Sequence, residues 1–101
     1  MKDDLFFVCR LLPPRADFRQ TMTGAERELM MAHVTHLKGW LDRGKVLICG
    51  PVDDPAGSWG LVVLRVGSIE EARRIEADDP VIKADLGFRY EVLPMLKAMV
   101  V

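Results

Sequence analysis

Two stretches of this chain, Leu5–Leu12 and Ser58–Val66, are apolar on both of their faces, and no other feature constrains the fold as much. Successive side chains of a strand point to opposite sides. In the first stretch Leu5, Phe7, Cys9 and Leu11 oppose Phe6, Val8 and Leu12; in the second Leu61 and Val63 oppose Val62, Leu64 and Val66. An antiparallel strand with one wet face would alternate apolar and polar residues. These strands do not, so both of their faces need cover. At 101 residues the chain is one domain, large enough for a core but not for two. Its two substantial helices can cover one face of a sheet. The other face calls for a second copy, stacked sheet on sheet about a two-fold axis.

The remaining segments say which sheet this is. Leu5–Leu12 is closed by Pro13-Pro14 and followed by a polar loop. Thr23-Gly-Ala-Glu26 has the spacing of a capping box, which predicts a helix from Gly24 to Arg43 with Gly44 as the left-handed residue beyond it. Lys45–Gly50, ended by Pro51, reads as a second strand, Asp53–Gly57 as a turn, and Ser58–Val66 as a third strand completing a hairpin. Ser68-Ile-Glu-Glu71 repeats the capping-box spacing and opens a short helix through Ala77. A helical turn follows Asp78-Asp79-Pro80, and Leu86–Pro94 is the last strand. The order β-α-β-β-α-β is the split βαβ, or ferredoxin-like, pattern. The expected fold is α+β, a four-stranded antiparallel sheet with helices on one face, paired into a dimeric α+β barrel. That topology puts the first and third strands in the middle and Pro51 and Pro94 at the ends of edge strands, where a missing amide is tolerated.

At 100° per residue, Met30, Val34, Leu37 and Leu41 form one stripe of the long helix, read as core. Leu29, His33, His36 and Trp40 form a second stripe on its flank, and Arg27, Glu28, Thr35, Lys38 and Asp42 take the solvated side. The chain's two histidines thus share one helix face. Imidazole is the one side chain whose unperturbed pKa lies near physiological pH, so their pairing points to a site at a pocket edge.

Charge and composition exclude several classes. The net charge of −1 gives no basic field, so neither nucleic acid nor an anionic membrane is an expected partner. No apolar run approaches the roughly 18 residues needed to span a bilayer. Met1–Asp4 lacks the pattern of a secretory leader. Cys9 and Cys49 sit in apolar runs without a CxxC pair and read as buried free thiols, so a cytoplasmic location is expected.

The spacing from His33 to Gly44, then Gly50-Pro51, the hairpin, Glu70-Glu71-Ala72 and Asp78-Asp79-Pro80 resembles the YciI-like (YCII-related) proteins, from the first strand to Pro94. The resemblance implies a ferredoxin-like fold, a dimeric α+β barrel and an active site made by a histidine and an aspartate. By position these fall on His33 and Asp79. Most members of that family have no established reaction; a few act on chlorinated aromatic compounds by dehydrochlorination, and related barrels include isomerases and cofactor-free monooxygenases. The long Pro13–Thr23 loop and the additional His36 depart from the simplest family pattern.

Each candidate has a chemical and a structural reading. With a carboxylate on one ring nitrogen, His33 would have its tautomer fixed and its other nitrogen free to move a proton. Asp79 would equally serve as an N-cap with Pro80 as the first helical residue. His36 is either a second polar wall of the pocket or a surface histidine beside Trp40. Gly50-Pro51 either brings backbone close to a ligand or ends an edge strand. Trp59, Phe6, Phe88 and Tyr90 are the aromatic residues available for a cavity, a core or an interface. Arg10, a charge within an apolar strand, needs a protein carboxylate or an anionic ligand. The candidate set is therefore His33 and Asp79 as catalytic residues, with His36, Arg10, Gly50, Pro51 and Trp59 around a substrate. His33-x-x-His36 lacks the i, i+4 spacing and third ligand of a zinc helix, so no metal is expected. No cofactor is called for, and buried thiols leave no nucleophile set. The expected protein is a small cytoplasmic homodimeric enzyme performing acid–base chemistry on a small cyclic or aromatic molecule. The alternative is a non-catalytic dimeric module that binds a small molecule or regulates.

Overall fold

The computed structural model describes residues 4–101. Its elements run β1 (Leu5–Leu12), α1 (Phe18–Thr21), α2 (Gly24–Asp42), β2 (Val46–Val52), β3 (Trp59–Val66), α3 (Ile69–Ala77), α4 (Pro80–Lys83) and β4 (Arg89–Pro94). The sheet is antiparallel in the order β2-β3-β1-β4, so the ferredoxin-like α+β topology is the one the chain forms. The two strands that are apolar on both faces are the central pair. Strand β2 continues through Pro51 to Val52, further than the proline suggests, because edge position makes the missing amide harmless.

Strand register sorts the residues into two faces. Phe7 and Cys9 of β1, Val46 of β2, and Val62, Leu64 and Val66 of β3 pack with Leu37 of α2 and Ala72 and Ile75 of α3. A second cluster, Leu11, Phe18, Val81 and Phe88, fills the other end of this face under α1 and α4. Burial of such side chains, at about 2 kcal/mol each, is the main favourable term in folding. On the helix-free face Phe6, Val8, Leu12, Leu61 and Val63 are half-buried, while Ile48 and Leu93 are exposed. Three charges interrupt it. The Arg10 guanidinium donates to Glu91 at 3.1 Å and lies over the Trp59 ring, 4.5 Å from its centre; Arg65 lies over Phe6. The partner of Arg10 is thus a protein carboxylate.

Both halves of the capping box at the start of α2 are formed: Thr23 Oγ1 accepts from the Glu26 amide at 3.1 Å and the Glu26 carboxylate accepts from the Thr23 amide at 2.9 Å. Arg15 donates twice more to that carboxylate, at 2.9 and 2.7 Å, and this bond foremost holds Glu26 down at about 2. The segment expected to be a plain polar loop is therefore fastened to α2. It contains the one-turn helix α1, whose Phe18 is buried edge-on against Phe88, with ring centres 5.1 Å apart. A single aromatic residue in a polar stretch has no period that would announce a helix. Gly44 has φ 76° beyond the C-cap, as the left-handed position there requires. The second cap is only half a box. Ser68 accepts from the Glu71 amide at 3.1 Å, but the Glu71 carboxylate reaches Lys45 at 2.8 Å instead.

The rotation of α2 differs from the expectation. Of the stripe read as core, Leu37 is buried, but Val34 is 59% and Leu41 42% exposed; these residues face an open cavity. The stripe placed on the flank turns inward, with His33 buried and Leu29, His36 and Trp40 half-buried. Two directional bonds account for this. His33 reaches the Asp79 carboxylate, and the His36 Nε2–H donates to the Ile75 carbonyl at 3.0 Å. Hydrophobic periodicity has no knowledge of such bonds.

Thr23→Ala removes the acceptor for the first-turn amide and should lower stability by about 1 kcal/mol. The check is the urea midpoint, which should fall at an unchanged slope.

Candidate active site

The site is built on one carboxylate. Asp79 stands between α3 and α4 and is fully buried. Its Oδ1 accepts from the Val81 amide at 3.1 Å, capping the turn that begins at Pro80. Its Oδ2 accepts from His33 Nδ1 and from the Tyr90 hydroxyl, each at 2.7 Å. The two readings of Asp79 are therefore not alternatives: one oxygen caps, the other holds the histidine. Burial alone would push this carboxyl up. The hydrogen bond and charge of His33, with the bonds from Tyr90 and Val81, outweigh burial and hold it below the usual carboxylate range. Burial, and then the Asp79 charge, push the Tyr90 phenol up, so Tyr90 keeps its proton and donates it in the bond.

With Nδ1 turned to Asp79, the other nitrogen of His33, Nε2, is the one left toward the cavity that His33 lines. The cavity measures about 610 Å³ and lies between α2 and the sheet end formed by β2 and β3, with α1 beside it. Its walls include Leu11, Phe18, Met22, Met30, Leu37 and Phe88, and its charged or hydroxyl-bearing side chains are His33, Arg19, Lys38 and Ser58. Such a mostly apolar cleft with few polar groups is the usual form of a small-molecule site.

His33, Gly50, Pro51 and Trp59 border the cavity, with Asp79 behind His33, while the Trp59 ring is the one that Arg10 covers on the helix-free side. The structure does not bring His36 or Arg10 to the cavity. His36 is bonded to α3 and stands edge-on to Trp40, with ring centres 6.5 Å apart. Arg10 points away from the helices, because it alternates with Cys9 and Leu11 on β1, and Phe6 shares its side. Cys9 is buried, and burial first, then the nearby Glu76, raises its thiol; Cys49 lines the cavity, and burial raises it too. Both are free. Among the described residues no group of three His, Cys, Asp or Glu side chains is arranged to hold a metal, and no helix is long and apolar enough to cross a membrane.

Four contributors escaped the sequence reading. Tyr90 was noted only as an aromatic, and its bond to Asp79 depends on β4 lying beside β1 at Leu11. Phe18 and Met22 line the cavity from a segment read as loop. Gly60 forms part of the wall where a Cβ would stand 3.3 Å from the Leu11 side chain; glycine inside a strand pattern is a recognised signal for close approach.

The model of the YCII-related domain matches residues 7–96. The chain belongs to the YCII-related family. No curated protein matches it. In this YCII-related chain the histidine and aspartate that the resemblance implied, far apart in sequence, meet at 2.7 Å on the wall of the cavity.

Because Asp79 is held below its ordinary value, it stabilises the fold above the ordinary carboxylate range, and this stabilisation is lost as pH falls through its folded value. Asp79→Asn should therefore flatten the acid limb of stability against pH, measured by urea unfolding between about pH 2 and 6. Tyr90→Phe removes a hydrogen bond to a charged group and should cost about 2 kcal/mol at neutral pH.

Proposed function

We propose that this protein is an acid–base enzyme acting on a small cyclic or aromatic molecule bound in the cavity against His33. The observation that carries the reading is the buried Asp79 bonded to His33 Nδ1 at 2.7 Å, with the rest of the ring at the cavity wall. A carboxylate there fixes the tautomer and stabilises the imidazolium that forms when the ring takes a proton. In the proposed step Nε2 removes a proton from a carbon made acidic by a neighbouring carbonyl, and the C–H electron pair moves into the adjoining π-system. The imidazolium then returns its proton at another atom, giving isomerisation, or a leaving group departs with the electron pair, giving elimination. His33 and Asp79 do this with no cofactor. The apolar walls strengthen the charge interactions by keeping water away.

His33→Asn separates chemistry from architecture. The amide nitrogen of asparagine takes the place of Nδ1 and can still donate to Asp79, while nothing replaces Nε2. The probe is exchange of α-protons in a panel of cyclic ketones, enones and lactones in D2O, followed by proton NMR. The protein should accelerate exchange in at least one, and His33→Asn should slow it by about 100-fold or more with melting temperature nearly kept. Exchange that His33→Asn leaves unchanged, or ligand binding without exchange, would favour the non-catalytic binding module.

We also propose that the protein acts as a homodimer stacked through the helix-free face, where Phe6, Val8, Leu61 and Val63 stand without helix cover. Val63→Asp should convert a dimer to a monomer in sedimentation equilibrium. A wild type that is monomeric at high concentration would overturn this.

A further inference from the structure

We propose that the cavity is built for a small ring-bearing monoanion, with Lys38 as the residue that binds its carboxylate; this rests on the reading of the cavity as a substrate site. The lining includes no aspartate or glutamate. The carboxylates next to lining residues are already engaged: Asp79 stands behind His33 with three donors on it, Asp53 meets Arg19, and Asp54 accepts from the Trp59 indole and the Ala56 amide. The cations of the wall are Arg19 and Lys38, apart from whatever proton His33 carries. Arg19 lies 3.6 Å from the Asp53 carboxylate, so its charge is met within the protein. Among the described residues no carboxylate lies within ion-pair distance of Lys38.

Lys38 follows Leu37, which is buried at the cavity wall, and lies between Val34 and Leu41, which flank the opening. Lys38 thus lines an apolar space from an exposed helix position, from which its ammonium can meet one anionic group of a ligand while the rest of the ligand stays dry. A single ammonium acts as a point charge and suits one carboxylate. The apolar body fits the other end, where the Phe18–Phe88 pair offers ring edges and Met22 and Met30 offer adaptable thioethers. A cationic ligand would meet Lys38 and no acid; a neutral one would leave Lys38 without a role in binding.

The test measures binding by calorimetry with three probes of one shape: 2-naphthoate, 2-naphthylmethanol and 2-naphthylmethylammonium. The wild type should bind the carboxylate about fivefold tighter than the alcohol, the usual upper range for a rim ion pair, and the ammonium most weakly. Lys38→Met, which keeps most of the stem, should remove that preference and leave the alcohol unchanged. His33→Asn should keep the preference, which excludes a charged imidazole as its origin. Equal binding of carboxylate and alcohol by the wild type overturns this inference alone, as does a preference that survives Lys38→Met or disappears in Arg19→Met instead. Absence of saturable binding for all three probes overturns both this inference and the substrate-site reading. Loss of proton exchange with the charge preference intact would sink only the catalytic reading.

Discussion

Oδ2 of Asp79 is the atom on which the arrangement of the site depends. It accepts from a residue of α2 and from a residue of β4, while its neighbour Oδ1 caps α4. Three elements, one of them 46 residues away in sequence, are thereby tied to one fully buried group. A buried charge is tolerated only when its hydrogen-bonding capacity is met. This one is met three times over, and those same bonds hold it ionised. The requirement works in both directions: the carboxylate needs its donors, and the donors are thereby oriented. His33 cannot rotate without leaving Asp79 under-satisfied, so the ring presents a constant edge to the cavity.

That bond also explains why α2 lies as it does. A helix rotated only by hydrophobic pattern would bury Val34 and Leu41 and leave His33 on its flank. Burying the histidine instead swings the apolar stripe outward, along the cavity, where Val34 and Leu41 form the sides of the opening. Apolar residues that would otherwise have thickened the core become the lining of a cavity. The cavity and the buried His33–Asp79 hydrogen bond are consequences of one rotation.

The order of the strands and of the two long helices, the first capping box and the strand faces were legible in the sequence because they are local. Thr23 with Glu26, Gly44, and the double-faced strands each carry their signal within a few residues, and the sheet order followed from them. The His33–Asp79 pairing was not local. It came from the family resemblance, and periodicity alone would have left Asp79 a cap. Tyr90 was invisible as a donor because its role requires the β1–β4 register to be known. Arg10 was correctly singled out as needing a partner, yet its strand parity places it on the far side from the cavity, where Glu91 meets it. His36 shares a helix face with His33, but its ring N–H donates to a carbonyl of α3. Sharing a helix face proved insufficient to make two histidines one site.

The Pro13–Thr23 segment helps to shape the cavity. Arg15 fastens it to α2 through Glu26, and Phe18 anchors it on Phe88. Arg19 extends from it to Asp53 in the turn between β2 and β3. These contacts span the space from α2 to the hairpin, with the cavity between. The fastened segment supplies a wall of Phe18 and Met22, so the loop shapes the cavity as much as the bonded histidine and aspartate do.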